Sequence, residues 1–276
     1  MTPKYLFDNA SEREARARMA ALGAQHDDAT FRYMEKCGIG LGWNCLEIGA
    51  GDGSVARWMA ARVGPAGRVL ATDIDPRFVL ENGCAHPVNM DVSVHDIVTG
   101  SLPEDVFDFI HARLVLIWLP ERLKVLDKLV KALKPGAWLL IEDYDTRLVP
   151  PESATFNPAA AAKFAKVKEA ALELMTRSGL GHTYARELHL RLRERGLTQV
   201  QSYGAIATFV GGSPGADLQQ ANFQQVHQAL VETGLVSEAE FQEVMSLLSD
   251  PEFTAFTPTM FSAMGRNPGT PRTLSI

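Results

Sequence analysis

The stretch Leu46-Glu47-Ile48-Gly49-Ala50-Gly51-Asp52-Gly53-Ser54 holds the densest set of residues in the chain that could do chemistry. Glycines at alternate positions let a backbone turn sharply and let a ligand approach it closely. Asp73 follows at the end of the next apolar run, where a carboxylate can accept both hydroxyls of a ribose. Together they indicate a nucleoside cofactor. A dinucleotide loop reads Gly-x-Gly-x-x-Gly and sets a pyrophosphate on a helix N-terminus. Here the third glycine comes one residue early and Ser54 fills the usual slot. Two acids, Glu47 and Asp52, flank the turn; they would repel a pyrophosphate and favour a cationic ligand over NAD or FAD. For Glu47 two readings stand: a carboxylate that ties the loop through backbone N–H groups, or one that touches the ligand.

The elements that must position these residues alternate. Asn44 to Ile48 reads as a short strand, Ser54 to Val63 as a helix, Arg68 to Asp73 as a second strand, and Pro76 as the first position of another helix. Val88 to Val92 reads as a third strand and Phe107 to Ala112 as a fourth. Pro120 opens a helix with Leu123, Leu126, Leu129, Val130 and Leu133 on one face; Lys134-Pro135-Gly136 breaks it, and Trp138 to Glu142 is a fifth strand. Strands alternating with helices at this spacing imply a parallel sheet covered on both faces. Before it, Ser11 caps a helix to about Leu22, and Asp27 or Asp28 caps a second one ended by Gly38. After it come a helix capped by Asn157-Pro158, a helix from about Thr183 to Arg195, and a long strand from Thr198 to Val210. Helices at Ala216–Thr233 and Glu238–Ser249 follow, the latter with Ser237 and Glu240 as a capping box, and Thr259 to Met264 is a last strand.

Glu47-x-Gly49-x-Gly51-x-Gly53 resembles motif I of class I S-adenosylmethionine (SAM)-dependent methyltransferases. Ala71-Thr72-Asp73-Ile74-Asp75 resembles the segment in which the acid binds ribose and the next apolar residue lies under adenine. Val94-His95-Asp96-Ile97 is similar to the element whose Asp binds the adenine amino group while its neighbour packs on the ring. Phe107 to Arg113 followed by Leu114 to Pro120 resembles the fourth strand and the loop that passes the methionine part of SAM, and Leu133 to Ile141 resembles the approach to strand five. The likeness covers about Gly42 to Glu142 and extends more weakly to Thr259–Asn267. It is nearest in pattern to small-molecule methyltransferases of the ubiquinone/menaquinone and secondary-metabolite type. It implies a Rossmann-like, doubly wound α/β sheet of seven strands with the last antiparallel. It further implies an N-terminal helical cap over residues 1–40 and a SAM-binding domain over 41–276, with cap inserts at about 146–181 and 212–250. The cofactor-binding set it implies is Glu47, Gly49, Ala50, Gly51, Gly53, Asp73, Ile74, Asp96, Ile97, His111 and Arg113, with no metal.

The resemblance leaves the chemistry of the acceptor open. No Asn/Asp-Pro-Pro-Tyr/Phe follows strand four, which disfavours the base and amide N-methyltransferases that use it. His111 could orient SAM, act as a base, or be a satisfied histidine at a strand end. Arg113 could pair with the SAM carboxylate or with a nearby acid. Methyl transfer needs alignment and exclusion of water more than it needs a base. Where a base is needed, the candidates are His111, Asp143, Tyr144, Asp145 and His182. Phe7, Phe31, Tyr33, Phe156, Phe164, Phe223 and Phe241 could line an apolar acceptor pocket or glue the cap to the core, and Tyr5 could close over SAM. The implied partner is a small, partly hydrophobic molecule.

Bulk composition excludes other classes. The chain has 276 residues, is 46% hydrophobic and carries a net charge of −6, so it can bury a sizeable core and offers no basic surface for nucleic acid. The arginines at 191, 193 and 195 read as the solvated face of a helix. Three cysteines without a CxxC spacing fit reduced thiols, and no run is long and apolar enough for a membrane span. The reading is a cytoplasmic methyltransferase. Its rivals are a SAM-binding enzyme of the same fold catalysing a cyclisation or elimination, an NAD(P)-dependent oxidoreductase, and a binding protein with a vestigial site. The ribose assignment makes one firm demand: Asp73→Ala should weaken SAM binding at least about tenfold, ~1.4 kcal/mol, through loss of charge-assisted hydrogen bonds. Calorimetric titration checks it, and unchanged affinity removes Asp73 from the site.

Overall fold

The structure, a computed structural model, describes residues 12–80, 86–149 and 157–269. A seven-stranded mixed sheet organises it. In chain order the elements that matter first are α1 (Glu12–Lys36), β1 (Asn44–Ile48), α2 (Ser54–Val63), β2 (Arg68–Asp73), α3 (Arg77–Leu80), β3 (Met90–Val94) and β4 (Phe107–Arg113). A 3₁₀ turn (Leu116–Trp118), α4 (Arg122–Ala132) and β5 (Leu133–Asp145) follow. Then come α5 (Pro158–Arg177), α6 (Tyr184–Glu194), β6 (Thr198–Ala205), β7 (Thr208–Val210), α7 (Pro214–Glu232), α8 (Glu238–Leu247), β8 (Thr254–Phe256) and β9 (Thr259–Arg266). The strand order is β3-β2-β1-β4-β5-β9-β6, with β9 antiparallel, as the doubly wound reading requires. β1 pairs in parallel with both β2 and β4, so the strand that ends at the glycine turn lies at the centre.

The residues fall into two compact units. The larger contains residues 29–80, 86–143, 184–203 and 261–269, and therefore most of the sheet. Its strands alternate between two cores, as a period of two dictates. Ile110, Leu139 and Ile141 pack with Leu126 and Leu129 of α4 and Leu188 and Leu192 of α6. Cys45, Phe109 and Leu140 pack with Met34 of α1 and Met59 of α2 on the opposite face. The smaller unit contains residues 12–28, 144–149, 157–183 and 204–260. Phe164 is its hub, touching Phe209, Phe223 and Phe253 at 5.4–6.3 Å between ring centres.

Four expectations about elements are corrected. The two N-terminal helices are one, α1, which runs through Gly23, Asp27 and Asp28 because no proline interrupts it before Gly38, at φ +78°; the Ser11 cap lies outside the described residues. The third strand starts at Met90 rather than Val88, because Met90 N–H turns back to the Pro87 carbonyl and Val88 is left 98% exposed. β5 starts at Leu133, immediately after α4, with Gly136 at φ +83° absorbing the Lys134-Pro135-Gly136 break inside the strand. The long strand after Thr198 is two: β6 stays in the main sheet, while β7 pairs antiparallel with β8 in a separate ribbon. Among the described residues no helix is long and apolar enough to cross a membrane.

Two of the sequence-read caps are present. Ser237 and Glu240 close the capping box of α8, and Asn157 accepts hydrogen bonds from Ala159 and Ala160 N–H ahead of Pro158. Asn157→Ala should therefore cost about 1 kcal/mol of stability. Urea denaturation checks it, and a loss below a few tenths would show that the cap carries no weight.

Candidate functional site

β1 delivers the glycine turn. Gly49, Gly51 and Gly53 all have positive φ, at +71°, +57° and +83°, a region side-chain-bearing residues rarely adopt. Space also favours glycine at Gly49, where a Cβ would lie 2.4 Å from Val115 Cγ2; one on Gly53 would meet only the movable guanidinium of Arg57 at 2.9 Å and Val79 at 3.0 Å. The turn is laid over β2. Gly49 N–H and Ala50 N–H both donate to the Thr72 carbonyl, at 2.8 and 3.0 Å, and Gly51 N–H donates to Asp73 Oδ2 at 3.0 Å. Asp73 Oδ1 accepts Asp75 N–H at 3.0 Å. Burial pushes the Asp73 carboxyl up, and these N–H donors pull against it. Asp52 accepts Ser54 N–H at 3.0 Å and so starts α2.

Beyond Asp73, Ile74 presents an apolar side chain that is 62% exposed. Asp96, past the end of β3, accepts Val98 N–H and the Thr99 hydroxyl, both at 2.8 Å, and the Thr99 and Val98 bonds hold its carboxyl below the usual range. Ile97 is buried in the core on the α4 side, and Lys128 ties its carbonyl down at 2.7 Å.

The other half of the site is a buried row of charges. His111 is completely buried on β4, in register with Glu47 on β1. Its Nδ1 lies 2.7 Å from Glu47 Oε2 and its Nε2 3.1 Å from Glu142 Oε2 on β5. Since each ring nitrogen faces a carboxylate oxygen, both carry a proton and the ring is an imidazolium. Burial alone would lower its pKa; the Glu47 charge and the bonds to Glu142 and Glu47 override that and raise it to about 9. Glu142 also accepts the Thr30 and Ser262 hydroxyls, each at 2.5 Å. Burial would raise its carboxyl, but the His111 bond and charge, with Arg113 and Ser262, bring it down to about 2. Glu47, with fewer donors, is pushed up by its complete burial against the pull of His111. Arg113 donates from Nη1 to Thr30 Oγ1 at 2.9 Å, so the row reaches α1.

Of the sequence-read residues, the structure thus brings Glu47, His111 and Arg113 together beside the turn, and Gly49, Ala50, Gly51, Gly53 and Asp73 within it. Three of the remaining candidates, His182, Tyr144 and Asp145, bond within the smaller unit. His182 sits between two threonines at 2.6 Å each; Thr176 donates to Leu172 O, so His182 gives its Nε2–H to Thr176 and accepts from Thr146 at Nδ1. Tyr144 pairs its hydroxyl with His26 Nε2 at 2.5 Å. Asp145 accepts Arg147 and Leu148 N–H. Asp143 is completely buried. Of the aromatics, Phe31 stacks on Trp58, Tyr33 on Tyr203 and Phe241 on His227. Tyr5, Phe7 and Phe156 lie outside the described residues. Sequence reasoning missed Thr30, Glu142 and Ser262. Glu142 was discoverable, as a carboxylate that follows the apolar run Leu139 to Ile141 into the core needs a buried cation.

A family model described as a methyltransferase domain matches residues 7–202. The chain is 39% identical over 132 residues to methyltransferase str2 of Strobilurus tenacellus, an alignment taking in 46% of each chain and thus just under half of that relative's length. It is 28% identical over 179 residues to the ubiquinone/menaquinone biosynthesis C-methyltransferase UbiE of Bordetella parapertussis, covering 60% of this chain and 67% of that one. In fold it is similar to phosphoethanolamine N-methyltransferase 2 of Haemonchus contortus in complex with phosphomonomethylethanolamine and S-adenosylhomocysteine. There the TM-score is 0.51 at 15% identity, over 83% of this chain and 50% of that one.

The buried row makes stability depend on pH in a defined direction. His111 is raised from 6.5 to about 9, so its contribution is complete below pH 6.5 and is lost as pH rises through 9. Glu142 is lowered from 4.5 to about 2, so its contribution is complete above pH 4.5 and is lost as pH falls through 2. Each tenfold change in proton affinity is worth about 1.4 kcal/mol, so the unfolding free energy should decline by about 3 kcal/mol on the alkaline limb. His111→Phe should flatten that limb. A wild-type limb that is already flat would mean the ring is not charged.

Proposed function

This chain belongs to the methyltransferase-domain family and its cofactor is SAM, and from that premise we propose that it transfers a methyl group to a small, partly hydrophobic acceptor. The observation that carries the reading is the glycine turn clasped by Asp73. The residues fit an adenosyl group on their own geometry. An ionised carboxylate has about four lone-pair sites; Asp73 uses one oxygen for Gly51 N–H and the other for Asp75 N–H. Its lone pairs not engaged by backbone N–H groups are the proposed acceptors for the ribose hydroxyls. Ile74, apolar and exposed beside it, offers a platform for adenine, and Asp96, its carboxyl held below the usual range, is the acceptor assigned to the adenine amino group. Gly49 and Gly53 leave the turn without side chains, so a ligand can lie against backbone. Arg113 and Glu47 are the charges we assign to the carboxylate and ammonium of the methionine part.

SAM supplies a methyl carbon already activated by its sulfonium. The work left to the chain is to orient donor and acceptor in line and keep water out. His111 serves as a positioning residue, because an imidazolium locked between two carboxylates has no proton to take up. The UbiE relative, named for a C-methylation in ubiquinone and menaquinone biosynthesis, supports an acceptor of modest size and apolar character. Cys37 and Cys45, free and buried, support a cytoplasmic setting.

Incubating the protein with methyl-labelled SAM and a panel of small phenols, quinols, carboxylic acids and amines tests the proposal. S-adenosylhomocysteine and labelled product should appear together with at least one acceptor, and Asp73→Ala should lower the yield of both. SAM that binds but stays intact with every acceptor would remove methyl transfer and leave the non-methylating alternative.

A further inference from the structure

Lys128 stands on α4, and its ammonium reaches three backbone carbonyls of the segment that follows β3: Ile97 at 2.7 Å, Val98 at 3.1 Å and Gly100 at 2.5 Å. An ammonium has three N–H donors and no acceptor, so all three donors are spent on this one segment. The segment is a single closed turn. Gly100 N–H donates to the Asp96 carbonyl at 2.7 Å, and the Asp96 carboxylate accepts Val98 N–H and the Thr99 hydroxyl. A Cβ on Gly100 would lie 2.4 Å from the His95 ring, so the turn is folded tightly on itself. His95 N–H donates to the Asp73 carbonyl at 2.8 Å, which joins the turn to the end of β2.

The two ends of the turn are held by opposite charges. Its N–H groups meet a carboxylate and its carbonyls meet an ammonium, the arrangement that aligned peptide dipoles favour. A single turn leaves carbonyls without partners inside it. Water can solvate such groups, whereas ordering a lysine side chain costs conformational entropy. What the ammonium adds is a fixed location. It holds three carbonyls at one point of a helix that is anchored by Val125, Leu126 and Leu129, each no more than 1% exposed. Asp96 itself stays exposed, and each of its oxygens takes one of the two bonds within the turn. The carboxylate therefore keeps lone pairs for a ligand, and where they point depends on the turn.

We propose that Lys128 is a positioning residue for the base end of the cofactor site: it fixes the turn that carries Asp96 and so sets the preference for a base with an amino group at that point. The inference rests on the assignment of Asp96 to the adenine amino group, and it names a residue on a different element on which that contact depends.

Calorimetric titration of the full chain with S-adenosylhomocysteine and with S-inosylhomocysteine, in which a carbonyl oxygen replaces the amino group, tests it. The wild type should prefer S-adenosylhomocysteine at least about tenfold, since the carboxylate otherwise faces an oxygen instead of a donor. Lys128→Met, which keeps the apolar stem, should bring that preference to about threefold or less, with S-inosylhomocysteine affinity changed less than about twofold. Asp73→Ala, by contrast, should weaken both ligands alike, because both carry the ribose. Lys128→Arg keeps the charge but spreads its donors over a planar fork that cannot put three at one point. It should lose the preference too, and it carries the test if circular dichroism shows Lys128→Met unfolded. A preference that survives in the folded variants overturns the inference, even where both affinities fall together, which marks a purely structural role. A wild type that binds the two ligands equally removes Asp96 from the base contact and this inference with it. One that binds neither overturns the cofactor reading itself.

Discussion

An imidazolium held between two buried carboxylates sets the terms for the carboxyl edge of this sheet. His111, Glu47 and Glu142 are each no more than 2% exposed, and taking such charges out of water costs several kcal/mol apiece. The cost is offset only while every partner is in place. The row therefore extends outward until its lone pairs are used: Thr30 and Ser262 donate to Glu142, and Arg113 donates to Thr30. Losing any one member leaves a charge stranded in apolar surroundings. The ends of β1, β4 and β5 accordingly have one low-energy arrangement, and Glu47 stands two residues before Gly49. The glycine turn departs from a strand end that cannot drift.

The turn itself is held by the groups proposed to meet the ligand. Thr72 accepts two turn N–H groups through its carbonyl, and Asp73 accepts a third through its carboxylate. A loop tied down this way is formed before the ligand arrives, which spares the ordering entropy that binding would otherwise have to supply. Asp73 thus serves as a loop anchor as well as the proposed ribose acceptor. Asp52 is already used, accepting Ser54 N–H at the start of α2.

Much of this is legible in the sequence, for reasons that can be named. Central parallel strands are apolar on both faces, so β1, β2 and β4 stand out as runs, and the alternating glycines mark the turn because only glycine fits those φ values. Boundaries are less legible where hydrogen bonding overrides the apolar pattern. Val88 belongs to an apolar run but lies outside β3 because Pro87 initiates a turn. Val210 ends an apolar stretch but pairs in another sheet. The charge row is half legible. Glu47 and His111 stand out as single residues with open roles; their direct pairing depends on register between β1 and β4, which no local pattern encodes. Thr30 is invisible, because its role depends on a helix laid across strands up to about a hundred residues distant in the chain.

The charge balance around the turn argues for the ligand that the family carries. Four carboxylates, on Glu47, Asp52, Asp73 and Glu142, stand against three cations, on Arg57, His111 and Arg113. The set carries one net negative charge. SAM, with a sulfonium, an ammonium and a carboxylate, brings one net positive charge and completes it. A pyrophosphate would add two negative charges to a surplus already present. At an effective dielectric constant near 20, a unit pair at 4 Å is worth about 4 kcal/mol, so the sign of that mismatch outweighs any single hydrogen bond the turn could offer. Once the methyl has left, the sulfonium is a neutral thioether and the negative charge is again unbalanced. The same arrangement of acids thus favours the methyl donor over the demethylated product.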